Sequence, residues 1–265
     1  FGLYLDAYVN PEGNRYYLGP KNGSRLNRLR DHVANALDAA DEYVWVYGEK
    51  HRWWETPNGG VKPESWEQVM PGIETALRFA TDPVAAARQA LADGALPNLA
   101  RNADFGSEKA LSATGAEVVY KEGWLPAGWS FWQENTTGTA GWDRQMGRTA
   151  PGAAKTWQVT GGCFIQEISP VQPGERYAVR AWARVHGRGT ASIRVRWQAP
   201  QGGWVHEQLD KLVYGSDVRD DWQELLAVAD VPEGVGKLLI LLGTGGQPTA
   251  EDAAWFDDVT CVKLP

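Results

Sequence analysis

Tyr177-Ala178-Val179-Arg180-Ala181-Trp182-Ala183-Arg184-Val185 places small or apolar side chains at every second position and large polar ones between them. A period of two is what a strand with one buried face requires, because successive side chains leave it on opposite sides. Tyr177, Val179, Ala181, Ala183 and Val185 fall on one side, with Arg180, Trp182 and Arg184 on the other. The next strand repeats the scheme, with Ile193, Val195 and Trp197 opposed to Arg194, Arg196 and Gln198. If the two strands are neighbours with one face exposed, Trp182 is ringed by the guanidinium forks of Arg180, Arg184, Arg194 and Arg196. Such a surface either stacks a sugar ring and binds its hydroxyls or carboxylates, or is a solvated face whose arginines are neutralised by Glu207, Asp210 or Glu224.

Outward from this pair, the alternation holds from Ala95-Leu96-Pro97 to the end of the chain. It is punctuated by turn signals at Gly161-Gly162, Gln172-Pro173-Gly174-Glu175, Pro200-Gln201-Gly202-Gly203 and Pro232-Glu233-Gly234. They mark off roughly eight or nine strands, which suits an antiparallel β-sandwich or jelly roll over residues 97–265. The expected fold class is therefore mainly β, with a smaller α/β segment of βα units in front.

That segment, residues 1–94, follows other rules. Phe1 to Val9 reads as a strand closed by the turn Asn10-Pro11-Glu12-Gly13-Asn14. Ser24 caps a helix whose Leu26, Leu29, Val33, Ala36, Leu37 and Ala40 share one face. Tyr43-Val44-Trp45-Val46-Tyr47-Gly48 is a nearly continuous apolar run, the pattern of a parallel strand buried on both faces. Pro63 opens a helical stretch broken at Pro71-Gly72, and Asp82-Pro83 caps an alanine-rich helix that stops at Gly94. Two βα units cannot close a barrel, so the segment reads either as the carboxyl-terminal part of a (β/α) barrel whose upstream portion is missing, or as helices that dock on the sandwich to make a complete small domain.

Composition narrows the partners. The 265 residues are 43% hydrophobic and carry a net charge of −7 with acids and bases interspersed, which gives no basic stripe for nucleic acid. The most apolar stretch, Lys237 to Leu242, is far short of a bilayer span. The chain has 14 Trp against 6 Phe and 2 Met, more large flat rings than a core needs. Cys163 and Cys261 lie in two separate strands, either bridged or as two buried thiols.

Several short motifs in order resemble a known family. Asn98-Leu99-x-x-Asn102-x-x-Phe105, Gly128-Trp129, Phe164-Ile165-Gln166-Glu167-Ile168, Pro173-Gly174-x-x-Tyr177 and the closing Trp255-Phe256-Asp257-Asp258-Val259 are similar to the jelly-roll carbohydrate-binding modules attached to xylanases and cellulases. The resemblance covers residues 97–265. It implies a polysaccharide or oligosaccharide bound on a concave sheet face, non-catalytic action beside a glycoside hydrolase domain, and a secreted protein, extracellular or periplasmic. It also implies a structural calcium ion where the first and last strands meet. An acidic residue usually follows the early Phe, and here that position is Gly106. The oxygen ligands expected are then Asp257 and Asp258, helped by Asp104 or Glu108. More loosely, Tyr43 to Glu49 with Trp53-Trp54 looks like the last strand and following loop of a glycosidase-like barrel.

Beyond the arginine face, two rings are candidates for sugar contact. Trp132 alternates away from Trp129 and Phe131, which makes Trp129 a core residue and leaves Trp132 free to face out; Trp142 sits in a Gly- and Thr-rich stretch that reads as a loop. For catalysis, Asp6 and Glu49 lie near the ends of the two barrel-like strands and supply the carboxylate pair that glycoside hydrolysis uses. Capping of loops by such carboxylates is the commoner use. The four histidines have no metal-ligand spacing, and no nucleophile elbow, phosphate loop or zinc motif is present. The leading expectation is carbohydrate binding by the sandwich. The alternatives are a glycoside hydrolase whose active site includes the first segment, and a spacer without a ligand.

Overall fold

The computed structural model describes residues 2–54, 64–106, 109–111, 117–119 and 124–265. The chain divides into two compact units, residues 1–93 with Pro265, and residues 94–264.

In the first unit, β1 (Gly2–Tyr4) pairs in parallel with β2 (Trp45–Tyr47), and α1 (Asp6–Val9) follows β1 directly. The strand expected over Phe1 to Val9 is thus cut short. Leu5 is already helical, and the Asn10 N–H closes the turn on the Asp6 carbonyl. The helix signals are realised. α2 (Arg25–Ala39) is capped by the Ser24 hydroxyl, which accepts from Asn27 N at 3.2 Å. The stretch after it is broken before Gly72 into α3 (Trp66–Val69) and α4 (Ile73–Thr81), and α5 (Pro83–Ala92) is capped by Asp82. Pro63 lies outside the described residues. Leu5, Tyr8, Leu29, Val33, Trp66 and Ile73 make this unit's core. β2 is not buried on both faces. Among the described residues it pairs with β1 alone, Trp45 and Tyr47 are exposed, and the two rings stack at 4.8 Å.

The second unit is an antiparallel β-sandwich. After the short hairpin β3 (Lys109–Leu111) and β4 (Glu117–Val119) come β5 (Ser130–Gln133), β6 (Thr139–Asp143), β7 (Ala153–Trp157) and β8 (Gly161–Ile168). These are followed by β9 (Arg176–His186), β10 (Thr190–Gln198), β11 (Trp204–Val205), β12 (Lys211–Tyr214), β13 (Gln223–Asp230), β14 (Lys237–Gly245) and β15 (Ala253–Leu264). One sheet has the order β11-β10-β14-β8-β5, with β12 also on β10; the other is β13-β9-β15-β7-β6. Long strands that follow one another along the chain therefore alternate between the sheets. The inward rows anticipated from the alternation fill the space between them, with Val179, Ala181 and Ala183 facing Ile193, Val195 and Ile240 in one core.

The two matching ends of this unit meet. Leu99 N donates to Cys261 O at 2.7 Å, Val259 N donates to Ala103 O at 2.7 Å, and the Asn98 side chain bonds both Val259 O and Cys261 N. Cys163 and Cys261 are free thiols and not a bridge. Cys261 lies in the core between the sheets, whereas Cys163 points off the opposite face of the other sheet, and burial pushes the Cys163 thiol up to about 11. No helix of the described residues is long and apolar enough to cross a membrane.

Candidate functional site

The outward face of the β11-β10-β14-β8-β5 sheet carries a groove of about 630 Å³. Strand register explains its form. Tyr214 pairs with Ser192, Ser192 with Gly243, Gly243 with Cys163, and Cys163 with Trp132, so one straight row crosses five strands. The row has an aromatic ring at each end and small side chains between. At about 4.8 Å per strand, the two rings stand roughly 19 Å apart. The next row is Leu212, Arg194, Leu241, Ile165 and Ser130, which adds an apolar floor and one cation. Trp132 is 57% exposed and Tyr214 is 63% exposed, although burial of either ring is worth a few kcal/mol.

A third ring closes the other side. Trp204 on β11 is exposed, and the Arg196 guanidinium lies over it at 4.2 Å. Arg196 also pairs with Glu207 at 2.8 Å and Asp210 at 2.9 Å, so its charge is spent on holding Trp204 in place. Burial pushes the Asp210 carboxyl above its ordinary range, against the pull of Arg196 and Arg194. Arg194 is held less closely. Its side chain is 41% exposed, its nearest carboxylate oxygen is Asp210 Oδ2 at 3.8 Å, and its Nε makes no hydrogen bond.

The single arginine face expected from the sequence does not exist. β9 and β10 belong to different sheets, so Arg194 and Arg196 line the groove while Arg180, Trp182 and Arg184 lie on the outer face of the other sheet. There Trp182 is covered by the Arg148 guanidinium at 3.7 Å, Arg180 reaches Glu224 at 3.9 Å, and Arg184 reaches Asp220 at 3.6 Å. Trp142 does not lie in a loop. It lies in β6, 4% exposed, and its Nε1 donates to Phe105 O at 2.8 Å. Trp129 is core, as its alternation with Trp132 required. Tyr214, Trp204, Ser192 and the glycine floor went unread, although Leu212 and Tyr214 keep the same period of two around a half-buried Val213.

Asp257 and Asp258 sit at a bulge in β15 where Asp258 takes a positive φ of 46°. Burial pushes the Asp257 carboxyl up to about 7, and its two oxygens accept Arg148 N and Asp258 N, each at 2.7 Å. Asp258 is paired with the Arg148 guanidinium at 2.7 Å and with the Thr149 hydroxyl. Asp104 accepts its own Gly106 N–H, and Glu108 lies outside the described residues. Among the described residues no group of three His, Cys, Asp or Glu side chains is placed to hold a metal. As arranged, these residues do not fit a calcium ion, because a guanidinium already supplies the positive charge.

Asp6 and Glu49 do come together, around the Tyr4 hydroxyl, which donates to Glu49 Oε2 at 3.0 Å. Burial first, then Glu49 and Asp6, raise the Tyr4 phenol above its ordinary range. The Asp6 carboxylate is fully buried and accepts Glu49 N at 2.6 Å and Lys50 N at 3.2 Å. It holds the loop after β2, which is the capping use of a carboxylate at a strand end.

Fold and groove together define an antiparallel β-sandwich with an aromatic-flanked groove on the open face of one sheet. No protein-family model matches this chain, and no curated protein does. Among solved structures, a TmCBM61 structure in complex with β-1,4-galactotriose is similar at 15% identity and a TM-score of 0.41, over 63% of this chain and 99% of that one. The CBM22-1 xylan-binding domain from Paenibacillus barcinonensis Xyn10C is similar at 13% identity and a TM-score of 0.40, over 54% and 90%. The enzymatically active domain of tailspike protein 4 from bacteriophage CBA120 is similar at 18% identity and a TM-score of 0.44, over 63% of this chain and only 21% of that one. At these values, what the groove binds has to be argued from its own residues.

Proposed function

We propose that residues 94–264 form a non-catalytic carbohydrate-binding module, with a polysaccharide or oligosaccharide chain lying in the groove between Trp132 and Tyr214. The observation that carries this reading is the cross-sheet row with an exposed ring at either end of a small-residue floor. A pyranose presents a face of C–H bonds that stacks on an aromatic ring, and its hydroxyls lie around the rim, within reach of Ser192, Thr190, Thr244 and Arg194. Large exposed rings flanking a concave surface are the mark of a ligand site, not of a solvated sheet. Among the described residues its lining is aromatic, hydroxyl-bearing and cationic, which supports binding of a sugar chain. A module of this kind would serve as an appendage of a glycoside hydrolase acting on extracellular polysaccharide.

Affinity gel electrophoresis against neutral and acidic polysaccharides tests the proposal. Retardation by one class is expected, and Trp132→Ala reduces it at least about tenfold while the melting temperature stays unchanged. Absence of retardation by every polymer in the panel would reject the module and favour a spacer.

A further inference from the structure

The groove's charge singles out a ligand class. Among the described residues two arginines and no carboxylate line it, in a chain whose net charge is −7. Arg196 is committed to Glu207, Asp210 and the Trp204 ring. Arg194 sits one row from the Tyr214-to-Trp132 line, about 7 Å along β10 from Ser192. Its Nε makes no hydrogen bond, and the Asp210 carboxylate it faces is 3.8 Å away. A planar fork carried on a rigid strand, flanked by Leu212 and Leu241 and lining the groove, has the paired N–H donors that a carboxylate needs.

Resting on the reading of the groove as a glycan site, we propose that it selects carboxylate-bearing, uronate-type glycans, with one uronate carboxylate bound end-on by Arg194. A carboxylate matches the spacing of two guanidinium N–H groups, and its charge is neutralised without any conformational change in the groove. A neutral sugar in the same place would leave the fork with hydroxyls alone. Ser192 and Thr190 are then left to bind ring hydroxyls, and the rings supply stacking common to all sugars. The excess negative charge of the rest of the chain repels polyanions at long range, so the attraction is local and depends on the fork's geometry as well as its charge.

The test uses the full chain and two acidic polymers, polygalacturonate and alginate, each beside its carboxyl-reduced counterpart, with dextran sulfate and a neutral panel alongside. The expected result is that at least one acidic polymer binds, and carboxyl reduction weakens it about 10- to 100-fold. Arg194→Gln should weaken the acidic polymer by the same factor and leave the reduced one unchanged. Arg194→Lys, which keeps the charge and loses the fork, should fall between. Equal binding of acidic and reduced forms, or an Arg194→Gln variant as tight as the parent, would overturn this inference and leave the glycan groove standing. Binding of dextran sulfate without either carboxylated polymer would overturn it too. If nothing binds and Trp132→Ala is silent throughout, the groove reading itself fails.

Discussion

Asp252 shows how much a single carboxylate can hold. Its Oδ2 accepts the Thr249 N–H at 2.9 Å and the Thr249 hydroxyl at 2.6 Å, and its Oδ1 accepts Arg188 N at 2.7 Å, tying the β14–β15 connection to the β9–β10 turn. Gly187 is required beside it, since φ is +68° there and a Cβ would lie 2.5 Å from Asp252 Oδ1. The Thr249 hydroxyl bond, followed by the Arg188 N–H, holds the carboxyl down at about 2. Because the folded value lies below the unfolded one, the stabilisation is complete above about pH 4 and is lost as pH falls from there toward 2. Urea melts of the parent and of Asp252→Asn between pH 2 and 7 should differ most near neutrality and converge at the acid end; a constant gap across that range would rule the linkage out. Trp142 makes the complementary point. Its Gly- and Thr-rich surroundings read as a loop, but the ring is buried because the Phe105 carbonyl accepts its N–H, a partner 37 residues away that local pattern cannot reveal.

At the scale of elements, the inward and outward faces of β9 and β10 were legible from their alternation, because burial of one sheet face enforces a period of two. Which sheet each strand joins was not legible. The connection from His186 to Thr190 crosses the sandwich instead of making a hairpin within one sheet, and that choice separates Arg180 and Arg184 from Arg194 and Arg196. β2 departs from its pattern for a related reason: a run of apolar residues fits a buried parallel strand, and here the aromatic rings of the run face outward. The groove floor is a property of β14 and β8 paired together. Gly243 pairs with Cys163 on one side and Ser192 on the other, and the one atom crowding a Cβ added there is Ser192 Oγ, at 2.6 Å, the end of a side chain able to rotate. Valine suits a strand interior, so Gly243→Val is expected to keep the melting temperature within about 4 °C. Its methyls would stand up from the middle of the floor and reduce polysaccharide retardation at least about tenfold. Full binding by a folded Gly243→Val protein would move the ligand off this row.

For the whole molecule, the deciding fact is that each unit has its own core. The sandwich buries Phe105, Trp129, Phe164, Trp197, Leu225, Leu238 and Phe256 among its own strands, and the Asn98 to Phe105 segment laces onto β15. Residues 94–264 are within the size range of independently folding domains and bury aromatic and aliphatic side chains from both sheets. Among its described residues the first unit has a two-stranded parallel sheet, and two strands are marginal without covering elements. The fragment 94–264 is therefore expected to fold alone, with a β-rich spectrum and one cooperative melt. If the groove belongs wholly to the sandwich, the fragment also keeps the full affinity of the chain. Ligand at a hundred times its dissociation constant stabilises the folded state by about 2.7 kcal/mol, which raises the melt of a domain this size by roughly 5 to 10 °C. That shift should vanish in Trp132→Ala within the fragment, as in the full chain. A fragment that folds with native stability and shows no such shift would move the ligand off this groove.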